Sequence, residues 1–177
     1  QPRESANLLP VYWFENHECD FKVKFPYEPK ETPRAYSLEK NIYAKTISAT
    51  ILLPKISAML DAHCDTWVPS SDTNLVGTIR EAAELQMRQM AKSIQLTGVT
   101  INWEPQGDEI TLLMKGIKTA AHEGTKSRLG FLARTFFGKN SSMMVRGMEP
   151  LINFPSYQLE FFVNKSVSRK NANINRN

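Results

Sequence analysis

The sequence predicts an α+β domain in which an antiparallel sheet of about six or seven strands is flanked by helices. Three observations lead to this prediction. Residues 19–25 alternate between apolar and polar side chains, as in a half-buried strand. Residues 78–95 carry a helical apolar stripe. Beyond residue 98, apolar alternation is interrupted by three groups of turn-forming residues, which is typical of an antiparallel meander.

The first strand is predicted at residues 19–25, with its inward face formed by Cys19, Phe21, Val23 and Phe25. Asp20, Lys22 and Lys24 then face outward. Prolines at positions 26, 29 and 33 end this strand in an extended loop. β-branched residues within 36–53 favour a second strand there. A third strand is expected from Met59 to near Trp67, followed by a loop at 69–72.

The clearest helix signal starts at Thr78, which with Glu81 forms a capping box. The predicted helix therefore begins there, and Gly98 supplies its end. Its inward residues are spaced three or four apart: Ile79, Ala83, Met87, Met90 and Ile94. Two methionines on one stripe can also mark a binding groove, but this spacing favours core packing.

The meander is predicted to turn at residues 105–108, 122–125 and 138–140. Ser156 is then expected to cap a final helix. The inward side chains of that helix are predicted to be Leu159, Phe162, Val163 and Val167.

A length of 177 residues fits one domain, placed at residues 19–168. Residues 1–18 are expected to form an N-terminal arm whose aromatic residues Tyr12, Trp13 and Phe14 either cover a core edge or contact a protein partner. Residues 169–177 are expected to form a polar, basic tail, either solvated or contacting an acidic partner through Arg169 and Lys170.

The net charge of +4 comes without a basic stripe interleaved with exposed aromatic residues, so a nucleic-acid partner is not expected. No apolar run approaches the roughly 18–20 residues that span a bilayer. No phosphate-binding loop, nucleophile elbow or metal-binding helix pair is present. We therefore predict no catalytic, cofactor-binding or metal-binding residues and no small-molecule substrate. Acidic residues such as Asp61 and Asp65 are interpreted as solvated residues beside turns.

The two cysteines, Cys19 and Cys64, lie in apolar, strand-like segments, and three states are open. A disulfide is favoured and would close a loop of about 46 residues. Two buried thiols are the second state. The third is a metal site built with His17 and His63, although these ligand spacings are poor for tetrahedral zinc.

Three segments resemble the PsbP-like/Mog-like α/β/α sandwich superfamily. They are residues 19–29, with a strand followed by Phe-Pro and a second proline, the hairpin at 136–146, and the closing Pro-to-Val helix at 154–167. This resemblance implies a non-enzymatic accessory or assembly subunit that binds a larger envelope or membrane-associated complex. It also implies an exported protein of the bacterial periplasm or membrane surface. Because the sequence starts at Gln1, we expect that a signal or targeting segment, or equally an upstream anchor helix, has been removed.

A second resemblance gives the alternative function. The helix at 78–95 and residues 99–113 look like the periplasmic domain of TraE-like conjugation-channel subunits. An uncharacterised hydrolase is the third possibility, since perturbed groups in a cleft have no sequence signature.

Overall fold

The computed structural model describes residues 11–34, 45–53, 58–66 and 75–170. Within them lie helices α1 (Leu75–Ile94) and α2 (Tyr157–Lys165) and a 3₁₀ turn at Leu151–Asn153. The strands are β1 (Tyr12–Phe14), β2 (Phe21–Phe25), β3 (Lys30–Arg34), β4 (Lys45–Leu53), β5 (Ala58–Thr66), β6 (Leu96–Gln106), β7 (Glu109–His122), β8 (Thr125–Phe137), β9 (Ser141–Pro150) and β10 (Val167–Arg169). The predicted loop at 69–72, Trp67 and the tail beyond residue 170 lie outside the described residues.

The strands form two antiparallel sheets. The larger has seven strands in the order β3-β4-β5-β9-β8-β7-β6, and the smaller has the order β1-β2-β10. The α+β prediction and its strand number are therefore confirmed, and the three predicted turns join β6 to β7, β7 to β8 and β8 to β9. The small sheet was not predicted, and it contains Val167, which belongs to β10 rather than to the final helix.

Alternating residues of the large sheet supply two cores on its opposite faces, since successive strand residues point to opposite sides. In β7, Leu113 packs on the side of the small sheet and α2, while Leu112 packs on the side of α1. Strand β8 does the same with Leu132 and Phe131. The fold is thus three-layered, with the large sheet in the middle.

Helix α1 buries the predicted stripe, with Ile79, Ala83 and Met87 in the core and Met90 and Ile94 packed at its margin. Its predicted start is wrong, because the helical backbone begins one turn earlier, at Leu75. A capping box is a local pattern that favours a helix start at its first residue. Leu75, three residues earlier, has a high helix propensity, which favours extension of the helix towards the N-terminus. The helix ends before Gly98, which has a φ of +59° in β6, where the register shifts between Thr97 and Thr100.

The final helix starts as predicted. The Ser156 side chain accepts a hydrogen bond from the Leu159 amide at 3.2 Å, which satisfies one free N–H of the first turn. Leu159, Phe162 and Val163 are buried in the core shared with the small sheet.

The segments predicted as arm and tail both enter the small sheet. Tyr12–Phe14 pairs with one edge of β2, and Val167–Arg169 pairs with the other edge. Strand β2 would otherwise leave two rows of backbone groups without partners, which gives a physical reason for both strands. The predicted boundaries at residues 18 and 169 therefore do not coincide with the limits of the ordered sheet. Residues 8–10 of the aromatic arm lie outside the described residues.

Candidate functional site

The outward side of the small sheet is basic and aromatic. Lys22 and Lys24 point away from the core on β2, and the register places Trp13 opposite Lys24 and Ser168 opposite Lys22. The ammonium of Lys22 lies 4.3 Å from the centre of the Trp13 ring, a cation–π contact. Among the described residues of these three strands, none on the outward side is acidic.

Helix α2 extends this surface beside Lys24. Lys24 and Phe161 line the same small depression. Tyr157 is 85% exposed and Phe161 42% exposed, and their rings lie 6.3 Å apart on the side of α2 away from the core. We call the surface formed by Trp13, Lys22, Lys24, Tyr157 and Phe161 the basic–aromatic face. Exposed tryptophan, tyrosine and phenylalanine rings are enriched at protein interfaces.

The five predicted contact residues have different positions. Trp13 is 40% exposed on the basic–aromatic face, Tyr12 is half-buried against the core, and Phe14 is fully buried. The prediction of Phe14 as a contact residue is therefore wrong for this structure, because strand alternation turns it inward beside Val23. Lys170 donates a hydrogen bond from Nζ to the Asn16 carbonyl.

Arg169 is held by groups of its own chain. It donates two hydrogen bonds to the Glu109 carboxylate, at 2.7 and 2.9 Å, and one to the Phe137 carbonyl at 3.0 Å. The hydrogen bonds to Glu109 raise the pKa of Arg169 despite its partial burial. Its guanidinium also lies 4.7 Å from the Phe21 ring centre. Arg169 therefore fastens β10 to the large sheet rather than offering a free charge.

The contact prediction did not include Tyr157 and Phe161, the two exposed aromatic residues of α2. The available signal was their position on α2, since neither falls on the apolar stripe of Leu159, Phe162 and Val163. An exposed aromatic residue off the stripe of a surface helix is a candidate contact residue.

A disulfide joins Cys19 and Cys64. Cys19 precedes β2 and Cys64 lies in β5, so the bond links the small sheet to an interior strand of the large one. The two sulfur atoms are bonded to each other and are therefore unavailable as thiolate ligands of a metal. His17, the other residue considered for that metal site, is exposed. No group of three or more His, Cys, Asp or Glu side chains in the described part of the chain could hold a metal ion.

A buried polar cluster lies on the α1 side of β5 and β9. Asp61 accepts a hydrogen bond from Arg146 at 3.1 Å, and its other oxygen lies 2.6 Å from Nε2 of His63, out of line for a hydrogen bond. Asp65 accepts one from Thr46 at 2.6 Å. Asp61 is only 3% exposed and Asp65 is also buried, so their interpretation as solvated residues beside turns is corrected.

The ionisation of Asp61 follows from its neighbours. Burial alone would raise its pKa, but the contacts with His63 and Arg146 outweigh burial and lower the pKa below its ordinary value. Asp61 is therefore a carboxylate at neutral pH, and it accepts a hydrogen bond from Arg146 while lying close to His63. A cavity of about 220 Å³ opens between this polar cluster and α1.

Neither a family profile nor a curated protein matches the sequence. The fold is similar to a solved structure, the cyanobacterial PsbP (CyanoP) of Synechocystis sp. PCC 6803, with a TM-score of 0.50 and 8% sequence identity. The match covers 90% of this chain and 92% of that one. The chain therefore has a PsbP-like fold, as the resemblance of its segments implied. None of the helices within the described ranges has the length and apolar character to cross a bilayer.

Proposed function

We propose that this protein is a non-enzymatic accessory subunit that docks on an acidic surface of a larger protein complex through its basic–aromatic face. The observation that carries the proposal is the composition of that face: two outward lysines on β2 and three exposed aromatic rings, with no acidic side chain among the outward positions of the described strands of the small sheet. On α2, Glu160 and Lys165 lie beside the rings of Tyr157 and Phe161 and offset each other in charge. The PsbP-like fold supports the class of protein, through what the resemblance implies.

The positive charge of the basic–aromatic face indicates that the partner surface is acidic. Lys24 is exposed and is engaged in none of the ion pairs found among the described residues, so it keeps its charge for an acidic group. Such charges mainly accelerate and orient association, while aromatic anchors supply more of the affinity. Trp13 and Phe161 are suited to that second task, because each presents an apolar ring at the rim of a charged patch.

The disulfide supports the location. Disulfides persist in oxidising compartments and are rare in reducing ones. We propose that the protein is exported and works in the bacterial periplasm or as a membrane-peripheral protein, which is consistent with an oxidising compartment.

Charge reversal tests the docking. The double variant Lys22→Glu/Lys24→Glu should abolish co-purification of a multi-subunit complex with the affinity-tagged full chain. The matched control is Lys115→Glu/Lys126→Glu, which makes the same charge change at exposed positions on β7 and β8. Retained co-purification with the first variant, or equal loss with the control, would contradict docking through this face.

Vesicles separate a protein partner from a lipid surface. The purified chain should not sediment with vesicles of phosphatidylcholine containing about one-third phosphatidylglycerol at 0.15 M salt, where exposed charges are screened beyond about 8 Å. Sedimentation that disappears in Lys22→Glu/Lys24→Glu would show that the lipid headgroups are what this face binds, and would refute a protein partner.

A further inference from the structure

The core on the α1 side of the large sheet is rich in methionine. Among the described residues, five of its fifteen hydrophobic members are methionines: Met87, Met90, Met114, Met144 and Met148. The core on the opposite side has one methionine, Met143, among twenty-four members. A methionine side chain is flexible and carries a polarisable thioether sulfur. The unequal distribution therefore gathers soft sulfur atoms on one side of the sheet.

Three of these methionines line the cavity beneath α1 together with a histidine. Met87 and Met90 lie three residues apart on the inward stripe of the helix, and Met144 lies on β9. His63 lines the same cavity from β5, where it is the direct cross-strand partner of Met144. Directly opposed residues of an antiparallel pair have Cβ atoms about 4.5–5.5 Å apart, so the imidazole and the thioether start side by side. The cavity of about 220 Å³ leaves the flexible methionines room to change rotamer.

Arg146 occupies one of the three sulfur atoms. It donates a hydrogen bond to Met90 Sδ at 3.0 Å and another to Asp61 at 3.1 Å. The ion pair with Asp61 offsets the charge of the guanidinium, so Arg146 does not make the cavity cationic. Because the Met90 sulfur already accepts a hydrogen bond, Met87 and Met144 are the two methionines that we assign as ligands.

The imidazole of His63 has a carboxylate on one side. Its Nε2 lies 2.6 Å from the second oxygen of Asp61, and both side chains are nearly buried. Histidines that bind metals almost always place their other ring nitrogen against a carboxylate, a carbonyl or water, which raises the basicity of the ligating nitrogen. With Nε2 beside Asp61, Nδ1 is the ring nitrogen left for a metal ion.

We propose that this cavity binds one copper(I) ion through Nδ1 of His63 and the thioether sulfurs of Met87 and Met144. Thioether and imidazole ligands together favour copper(I), whereas magnesium and calcium require oxygen ligands and zinc favours thiolate or carboxylate beside imidazole. This ligand set therefore differs from the His, Cys, Asp and Glu groups considered above. The site lies on the α1 side of the large sheet, away from the small sheet, and does not depend on the docking proposed above.

Titration with copper(I) tests the proposal. The full, oxidised chain is titrated without oxygen against copper(I) held by bicinchoninate, and it should take up one ion with a Kd below about 1 µM. Zinc should bind at least roughly a hundredfold more weakly, because it disfavours thioether ligands. Failure to take up copper(I), or equal affinity for zinc, overturns the proposal.

Leucine variants locate the sulfur ligands. Met87→Leu and Met144→Leu should each weaken copper(I) binding at least roughly tenfold. Both should fold, since cores tolerate exchanges of leucine and methionine. The matched control is Met114→Leu, at a fully buried methionine of the same core that does not line the cavity, and it should leave the affinity unchanged. Equal loss in the control, or unchanged affinity in both cavity variants, overturns the assignment.

Methyl NMR of the wild type gives the same test without a change in the core. Silver(I), a soft monovalent ion that needs no reductant, should shift the methionine methyl signals of Met87 and Met144 and leave that of Met114 in place. His63→Gln should weaken binding, whereas His17→Gln, at an exposed position, should not. Unshifted signals from Met87 and Met144, or loss of binding in His17→Gln, would show that the metal binds elsewhere and overturn the proposal.

Discussion

Replacing Cys19 and Cys64 together with alanine removes the covalent link between the small sheet and β5. Both residues are buried, so alanine leaves no exposed polar group and no unpaired thiol. The main effect expected is on the unfolded chain, which gains the freedom that the cross-link had removed.

The magnitude follows from the sequence separation of 45 between the two cysteines. The chain-entropy relation for a loop of this length gives about 13.5 cal/mol/K, or about 4 kcal/mol at 25 °C. For a chain of this size, each kcal/mol corresponds to roughly 2–4 °C in Tm. We therefore expect the double variant to melt about 8–16 °C below the wild type.

Urea unfolding followed by circular dichroism measures the difference in free energy of unfolding between the wild type and the double variant. Wild-type protein unfolded with an excess of reductant serves as the matched control, since it should reach the same stability as the double variant. A loss below about 1 kcal/mol, or a reduced wild type as stable as the oxidised protein, would refute the chain-entropy reasoning.

Three further predictions concern single side chains. Phe14→Ala should lower the free energy of unfolding in urea by about 3–5 kcal/mol, because it empties a fully buried site. Trp13→Ala should lower it by less than about 1 kcal/mol, because Trp13 faces outward. Equal losses in the two variants would contradict the assignment of inward and outward faces. Asp61→Asn should cost roughly 3 kcal/mol at pH 7. Because the folded pKa of Asp61 is lowered, that difference should hold above about pH 4 and vanish as pH falls through the folded pKa; a pH-independent difference would refute this linkage. Gly147→Ala should lower the free energy of unfolding by about 1–3 kcal/mol. A Cβ at this position would lie 2.2 Å from Leu159 Cδ1 and 3.0 Å from the Met59 carbonyl oxygen. An unchanged urea midpoint would contradict that clash.

The periodic parts of the fold were predictable from the sequence. Alternation in residues 21–25 gave β2 its inward face, and the spacing from Ile79 to Ile94 gave α1 its buried stripe. Ser156 was recognisable as a cap because the capping hydrogen bond depends on neighbours three residues away. Each of these features depends on residues that are close together in the chain, so they can be predicted from one sequence.

The small sheet could not be predicted in the same way. Strands β1 and β10 have three residues each, too few for a periodic signal, and they meet on β2 from opposite ends of the described chain. Strand pairing over such separations depends on packing with the rest of the molecule. The sequence therefore showed the aromatic residues Tyr12, Trp13 and Phe14 without showing that Phe14 faces inward.

The polar cluster was missed for a related reason. In β5 nearly every side chain is buried, so Asp61, His63 and Asp65 interrupt the apolar residues without marking an exposed face. Alternation between polar and apolar residues is usually interpreted as an exposed and a buried face. Here both faces are covered, and the polar one forms a wall of a cavity beneath α1.

Photo-crosslinking tests most directly whether the basic–aromatic face contacts a protein partner. Benzoylphenylalanine in place of Lys24 should give a covalent adduct with a protein subunit of a larger complex when the tagged chain is irradiated in its native membranes. The same group in place of Lys115, exposed on β7, should give none. An adduct of equal yield from both positions, or no protein adduct from position 24, would contradict the account.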